Sequence, residues 1–239
     1  MPPYDGFNLG DHVHDDPAAV ADNRRRLAQA GGMHPVFLQQ VHGCEALLLG
    51  ATSPDGQVAD ACFSDEPGVA CTVMVADCLP VLFCHRSVLL VGAAHAGWRG
   101  LAGVDGIGVL ERLLQAMTAR LQQLHPGIVP DWLAWLGPCI GQAAFEVGDD
   151  VREAFCAHKA SAAEHFLPGV RAGKWQADLA GLARQRLQAL GVEVHGNDRA
   201  AAWCTFSQPE RFYSYRRSPQ TGRMAAAVWL QAAGAIRPE

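Results

Sequence analysis

Short apolar runs alternate along the chain with stretches in which apolar residues recur every three to four positions. The runs at 69–75, 81–83 and 88–94 are rich in Val, Leu and Ala and lack a strict alternation with polar residues. This pattern is typical of strands that are covered on both faces of a sheet. The same reasoning, with local turn signals, predicts further strands over residues 36–41, 46–49, 133–136, 192–195, 212–215 and 224–230.

Helices are predicted in the intervening stretches. Residues 17–30 follow an Asp-Asp-Pro start signal, and residues 147–158 and 178–190 carry helical apolar spacing, the last closed by Gly191. After a Gly-rich stretch, a long amphipathic helix is indicated by apolar residues at positions 107, 110, 114, 117, 121 and 124. Strands interleaved with helices indicate an α/β fold, although the pattern does not determine the strand order.

Length and charge narrow the class of protein. A chain of 239 residues can bury one substantial core, and because it contains no linker or repeat we expect a single domain over residues 1–239. The formal net charge is -5 and the pI is near 6.0, so we expect no nucleic acid and no membrane as partners. No apolar stretch approaches a membrane span, and residues 1–14 lack the features of a signal peptide. A cytoplasmic enzyme is therefore expected.

The eight cysteines do not indicate a disulfide framework. The composition is 49% hydrophobic, which supplies a core without cross-links, and no CxxC pair is present. Several cysteines lie within apolar runs, as expected for buried, reduced thiols.

Three segments each place an imidazole or thiol where a predicted strand gives way to a loop. They contain His42 in Gln-Val-His-Gly, Cys78 in Ala-Asp-Cys-Leu-Pro, and His95 in Ala-His-Ala-Gly-Trp-Arg-Gly. One thiolate and two imidazoles provide three ligands of a tetrahedral zinc and leave one position open, as in catalytic sites. The same residues suit metal-free chemistry, in which a thiol beside a histidine attacks a carbonyl and a second histidine or a carboxylate such as Asp77 orients the base.

Four arginines are candidates for binding an anion. Arg99 follows His95 in a Gly-rich turn before a helix, where backbone N–H groups can hold a phosphate. Arg216, Arg217 and Arg223 flank a Ser-Pro-Gln-Thr-Gly turn, and arginines at such a turn can clamp phosphate or carboxylate through paired hydrogen bonds. The alternative is that these side chains are solvated surface arginines.

In this order, the segments resemble the laccase-domain family of bacterial purine nucleoside phosphorylases. Members of that family were formerly known as laccase-like polyphenol oxidases, and some are described as peptidoglycan editing factors. The resemblance spans nearly the whole chain and rests on the following text: Phe7-Asn8-Leu9-Gly10, Asp15-Asp16-Pro17, Asn23-Arg24, Gln40-Val41-His42-Gly43, Ala76-Asp77-Cys78-Leu79-Pro80, the stretch from Ala93 to Gly100, Leu136 to Gly141, Phe145 to Gly148, Tyr213 to Arg217 and Thr221 to Ala226.

The resemblance implies a four-layer α/β/β/α sandwich with mixed sheets, and a zinc held by the residues matching His42, Cys78 and His95. It also implies phosphorolysis of adenosine, inosine and methylthioadenosine, with adenosine deamination as a further activity. In phosphorolysis the candidate arginines would hold inorganic phosphate near the ribose C1′. In deamination a proton shuttle is needed, for which Asp77 is the candidate.

Three alternatives stay open. Cys78 could be the nucleophile and His95 the base of a hydrolase that cleaves an amide of a peptidoglycan precursor. A copper polyphenol oxidase fits less well, because several copper centres need many paired histidines and only His12 and His14 form such a pair. A purely structural zinc would need a fourth ligand, for example His12 or His85. The preferred nucleoside, the native metal and the oligomeric state do not follow from the sequence.

Overall fold

The apolar runs of the sequence form the strands in the computed structural model, which describes residues 3–231. The run Val69–Val75 is buried at all seven positions, as expected for a strand covered on both faces. The strands are β1 His34–Phe37, β2 Ala46–Leu48, β3 Ala61–Ser64, β4 Val69–Val75, β5 Leu79–His85, β6 Val91–Ala96, β7 Trp132–Leu136, β8 Glu146–Gly148, β9 Phe166–Pro168, β10 Lys174–Ala177, β11 Glu193–Gly196 and β12 Met224–Trp229.

The helices begin and end at the residue types expected for caps. The Asp16 side chain accepts from the N–H of Ala18 at the start of the first helix, and Gly32 adopts φ 57° just after its end. Asp178 caps the last helix in the same way, by accepting from the N–H of Gly181. The helices are α1 Pro17–Gly31, α2 Trp98–Ala102, α3 Val109–Leu124, α4 Asp149–Cys156 and α5 Leu179–Ala189.

Two mixed sheets carry the fold. The larger has six strands in the order β11-β7-β5-β6-β3-β2, with parallel pairs at its two ends and antiparallel pairs between them. The smaller has the order β1-β4-β12, in which β1 is parallel and β12 antiparallel to β4. A separate antiparallel group, β8-β10-β9, lies beside α4.

Three apolar clusters separate four layers. α3 buries Leu110, Leu113 and Met117 against the outer face of the six-stranded sheet. Between the two sheets, side chains of β1 and β4 meet those of β3, β5 and β6. α1 covers the other face of the three-stranded sheet, where Phe37 and Met74 meet Leu27. The predicted α/β/β/α arrangement with mixed sheets is therefore confirmed.

Several predicted boundaries are wrong, and hydrogen bonds of side chains and turns accompany the differences. Residues 212–214 are irregular and Tyr215 begins a turn, so the predicted strand is absent; the Phe212 carbonyl accepts from Arg217 and the Ser214 carbonyl accepts from the N–H of Ser218. The strand predicted over 36–41 ends at Phe37. Beyond it, the Gln40 side chain replaces ladder bonds by pairing with both backbone groups of Met74.

The helix predicted over 147–158 is shorter, and five short elements were missed. Val147 lies in β8 opposite Trp175 of β10, and the helix begins only at Asp149. The pattern failed to indicate β3, β8, β9, β10 and the short α2. β6 continues through Ala96, so His95 lies inside a strand and not after its end.

Two expectations from the sequence concern the cysteines and membrane-spanning helices. All eight cysteines are free thiols, as predicted. Over residues 3–231, no helix is both long and apolar enough to cross a membrane.

Candidate metal centre

His42, Cys78 and His95, which are far apart in the sequence, meet in the structure. Their ligand atoms all lie within 4.8 Å of one another. The Cys78 Sγ is 3.7 Å from the His42 Nε2, and the two imidazole rings meet edge to face with centroids 4.8 Å apart. The structure therefore brings together the three residues that the sequence analysis selected.

The folding of each segment explains how the three side chains meet. Cys78 lies in the turn that joins β4 to β5, and the pairing of β5 with β6 places Pro80 opposite His95. His42 projects from the loop after β1 with φ 60°, a left-handed conformation that is uncommon for a residue with a side chain. Gly97 leaves room for the cluster, since a Cβ there would lie 2.7 Å from the His42 Cδ2.

A fourth residue, Asp60, contacts the cluster and was missed by the sequence analysis. Its side chain is fully buried, and its Oδ1 accepts from the His95 Nδ1 at 2.8 Å. It also accepts from the backbone N–H of His42 at 2.9 Å. An aspartate in the apolar run 58–63 was a usable signal, because a buried carboxylate needs several hydrogen-bond donors.

The electrostatics of the cluster favour a thiolate. Desolvation alone would raise the pKa of Cys78, but the charge of His95 and the hydrogen bond from His42 lower that pKa to about 6. Burial alone would lower the pKa of His95, but the Cys78 thiolate and the Asp60 hydrogen bond raise it to about 9. Without metal, the pair is therefore a thiolate beside an imidazolium.

The cluster lies on the wall of a cavity of about 1080 Å³. Of the arginines chosen from the sequence, Arg99, Arg216 and Arg223 line this cavity, whereas Arg217 is not among its lining residues in the described part of the chain. Aromatic side chains complete the wall, and they are Phe37, Trp98, Phe145 and Tyr215. The cavity therefore combines a soft metal-binding group, cationic side chains and flat apolar surfaces.

The three candidate arginines that line the cavity each contact neighbouring groups that restrict their side chains. The Arg99 guanidinium lies over the Trp98 ring, 4.4 Å from its centroid. Arg216 donates to the Glu146 carbonyl at 3.1 Å. Arg223 donates to the Thr221 carbonyl at 3.0 Å. Partly fixed guanidinium groups suit the recognition of a phosphate, because less side-chain freedom is lost on binding.

Arg217 and Asp77 organise the loops around the cavity. Arg217 donates to the carbonyls of Thr205, Phe206 and Phe212 at 2.6 to 2.9 Å. The Asp77 carboxylate accepts from the Thr205 hydroxyl at 2.6 Å and, through its other oxygen, from the backbone N–H of Arg216 at 2.7 Å. Asp77 is also among the residues that line the cavity.

The donor set fits a zinc ion. Ligand bond lengths of about 2.0 to 2.3 Å in a tetrahedron place neighbouring donor atoms about 3.4 to 3.6 Å apart. The Cys78 Sγ and His42 Nε2 are already 3.7 Å apart, and no pair of ligand atoms exceeds 4.8 Å. In residues 3–231 this group contains no fourth histidine, cysteine or carboxylate, which leaves one coordination position open.

Comparison with known proteins finds relatives that match almost the whole chain. The family model described as multi-copper polyphenol oxidoreductase laccase matches residues 1–231. A purine nucleoside phosphorylase of Pseudomonas aeruginosa is 51% identical over 230 residues, covering 96% of this chain and 88% of that protein. The purine nucleoside phosphorylase YfiH of Escherichia coli is 48% identical over 233 residues, with the same coverage of both chains.

Solved structures show the same fold. A Neisseria meningitidis protein superimposes with a TM-score of 0.83 at 44% identity, covering 97% of this chain and 89% of that one. A Bacillus licheniformis structure described as hypothetical protein YfiH also gives a TM-score of 0.83, at 25% identity, with 97% and 88% of the two chains covered.

Proposed function

The chain belongs to the family described as multi-copper polyphenol oxidoreductase laccase. Because relatives that are 51% and 48% identical to it are named purine nucleoside phosphorylases, we propose that it is a zinc-dependent purine nucleoside phosphorylase. Its substrates are inorganic phosphate and a purine nucleoside, with adenosine, inosine and methylthioadenosine as candidates. Residues 1–239 act as one catalytic domain. The observation that carries the proposal is the convergence of His42, Cys78 and His95 on a cavity lined by four arginines, three of which are the candidates Arg99, Arg216 and Arg223.

Zinc is the metal that this donor set favours. Thiolate and imidazole are ligands of zinc, and three protein ligands with an open position are typical of catalytic sites. When bound, zinc supplies Lewis-acid chemistry at the cavity wall. A structural zinc is less well supported, because His12 and His85 do not join the ligand group. Multi-copper chemistry needs several such groups, and residues 3–231 contain one.

Arginine side chains are the proposed binding groups for inorganic phosphate. In phosphorolysis a phosphate oxygen forms a bond to the ribose C1′, the bond from C1′ to N9 breaks, and the purine leaves with the electron pair. Arg99, Arg216 and Arg223 bind and orient the phosphate and stabilise its charge during this exchange. Arg217 holds the loop that carries Arg216 through its three carbonyl contacts, so its role is positioning.

Adenosine deamination is a second reaction of the same cavity in this proposal. It changes the purine C6, whereas phosphorolysis changes the ribose C1′, so the two reactions need two binding poses or one of them dominates. Asp77 is the residue that would carry the proton in deamination, because it is a carboxylic residue among those that line the cavity.

A metal-free Cys–His hydrolase is the second candidate function. It is favoured by one observation, the proximity of the Cys78 Sγ to the imidazole of His95, its candidate base, and to the His42 Nε2 on the wall of an open cavity. Such an enzyme would cleave an amide, for example in a peptidoglycan precursor, through an acyl group on Cys78. Mass spectrometry of wild-type protein mixed with an activated ester or amide would reveal that acyl group.

The proposal is tested by release of free base from the three nucleosides, with and without phosphate, by protein of known zinc content. We expect release to require phosphate and to fall at least a hundredfold in His42→Ala, Cys78→Ala and His95→Ala. Matched controls are Cys84→Ala, a partly buried thiol elsewhere on β5, and His195→Ala, an exposed imidazole, which should retain activity. Full turnover in the cluster variants would contradict the proposal.

A further inference from the structure

Asp60 contacts the segments of two of the three candidate ligands although it is not itself a member of the group. It is fully buried between β3 and the loop that carries His42. We propose that Asp60 is a positioning residue, which fixes the ring of His95 and the backbone of His42 so that both imidazoles present Nε2 to the metal. This inference rests on the proposed zinc site and adds to it a residue that determines its geometry.

The contact with His95 is made twice. The His95 backbone N–H donates to the Asp60 carbonyl at 2.7 Å, and the ring Nδ1 lies 2.8 Å from the Asp60 Oδ1. Because an ionised carboxylate only accepts hydrogen bonds, the proton of the imidazole must be on Nδ1. Nε2 is then the ring nitrogen that faces the cluster, and it becomes a metal ligand when the imidazolium gives up its Nε2 proton.

The contact with His42 is made through the backbone. Three consecutive N–H groups, those of Val41, His42 and Gly43, donate to the Asp60 carboxylate at 3.0, 2.9 and 2.7 Å. These bonds hold the turn in which His42 has φ 60°. A left-handed residue of this kind persists only where its surroundings fix it, so the direction of the His42 side chain depends on Asp60.

The carboxylate is needed for its two accepting oxygens. Four N–H donors converge on it, three from the backbone and one from a ring. An amide of the same shape has one accepting oxygen and an NH₂ group that would face a donor. Asp60→Asn therefore must release either the His95 ring or part of the turn that contains His42.

The first test is the zinc dissociation constant of Asp60→Asn, measured by competition with a chromophoric chelator in the absence of nucleoside. We expect binding to weaken 10- to 100-fold, the range found when partners of metal-binding residues are changed. The matched control is Asp178→Asn, another buried aspartate that contacts a histidine ring and a backbone N–H but lines a second cavity. The control should lose stability and keep its zinc affinity.

A second measurement uses wild-type protein and does not depend on the folding of a variant. Long-range ¹H–¹⁵N spectra of the histidine rings should show the His95 Nδ1 protonated before and after zinc is added, with only Nε2 shifting. Zinc bound at the His95 Nδ1, or unchanged zinc affinity in folded Asp60→Asn, would overturn the inference and leave the proposed function standing. A wild-type protein that binds no zinc would overturn both.

Discussion

The substitution Gly97→Ala should displace the side chains of His42 and Cys78 and thereby weaken zinc binding. Gly97 has φ −67° and ψ 159°, a conformation that alanine adopts without strain, so Gly97→Ala changes contacts and not the backbone. The added Cβ would lie 2.7 Å from the His42 Cδ2 and 3.1 Å from the Cys78 Sγ. The substitution therefore acts on two of the three ligands at once.

The expected magnitude follows from these distances. Ordinary contact of a Cβ begins at 3.4 Å, so the His42 ring must move by about 0.7 Å if it alone gives way. Metal–ligand distances tolerate about 0.2 Å. We expect zinc to bind 10- to 100-fold more weakly, which corresponds to about 1.4 to 2.8 kcal/mol.

The assay is chelator competition in parallel with thermal unfolding, and the control is Gly141→Ala. Gly141 has nearly the same conformation, φ −75° and ψ 156°, and also begins a short helical turn. Its added Cβ would lie 3.1 Å from the Cys204 side chain, in the second cavity. If Gly97→Ala binds zinc as tightly as Gly141→Ala and wild type, the reasoning about the ligand geometry is refuted.

Three further predictions concern phosphate, charge and packing. Arg223→Ala should raise the KM for phosphate at least tenfold in steady-state assays through loss of a charge-assisted hydrogen bond. Arg217→Ala should lower the melting temperature and raise that KM by a smaller factor, because Arg217 acts on phosphate only through the loop that carries Arg216. Burial alone would raise the pKa of Asp178, but the neighbouring His165 ring and the backbone N–H of Gly181 lower it below the ordinary value of 3.8. The ionised carboxylate therefore stabilises the fold above pH 3.8, and this contribution is lost as the pH falls through the lowered pKa. In urea unfolding, Asp178→Asn should cost about 1–3 kcal/mol at pH 7, with the difference narrowing below pH 3.8. Leu110→Ala should cost about 2–5 kcal/mol in the same assay, because this α3 side chain is fully buried; a cost below 1 kcal/mol would contradict the assigned packing.

The sequence predicts the elements whose signals are local. The Asp-Asp-Pro start of α1, the uninterrupted apolar run of β4 and the apolar spacing of α3 each contain their own evidence, and all three elements are confirmed. The three candidate ligands were found because each follows or ends a recognisable apolar run. Their convergence could only be expected, since it depends on the pairing of β5 with β6.

Most of the features that were missed depend on contacts between residues far apart in the sequence. Asp60 accepts from groups 17 to 35 residues away, and a single buried aspartate gives no indication of which donors it meets. Residues 212–215 have the composition of a strand. In the structure the Arg217 side chain donates to the Phe212 carbonyl, and these residues pair with no strand. Asp77 likewise bonds to Thr205, 128 positions later, which no local pattern could reveal.

In the proposed function, the chain transfers a ribosyl group from a purine to phosphate, and this transfer depends on zinc bound by His42, Cys78 and His95. The most direct measurement is ³¹P NMR of zinc-loaded protein with adenosine or inosine and inorganic phosphate, beside protein stripped of zinc. For a zinc-dependent phosphorylase, we expect a ribose 1-phosphate resonance that increases in proportion to the free base and is absent from the sample without zinc. Free base without ribose 1-phosphate, or equal formation of the ester after removal of zinc, would contradict it.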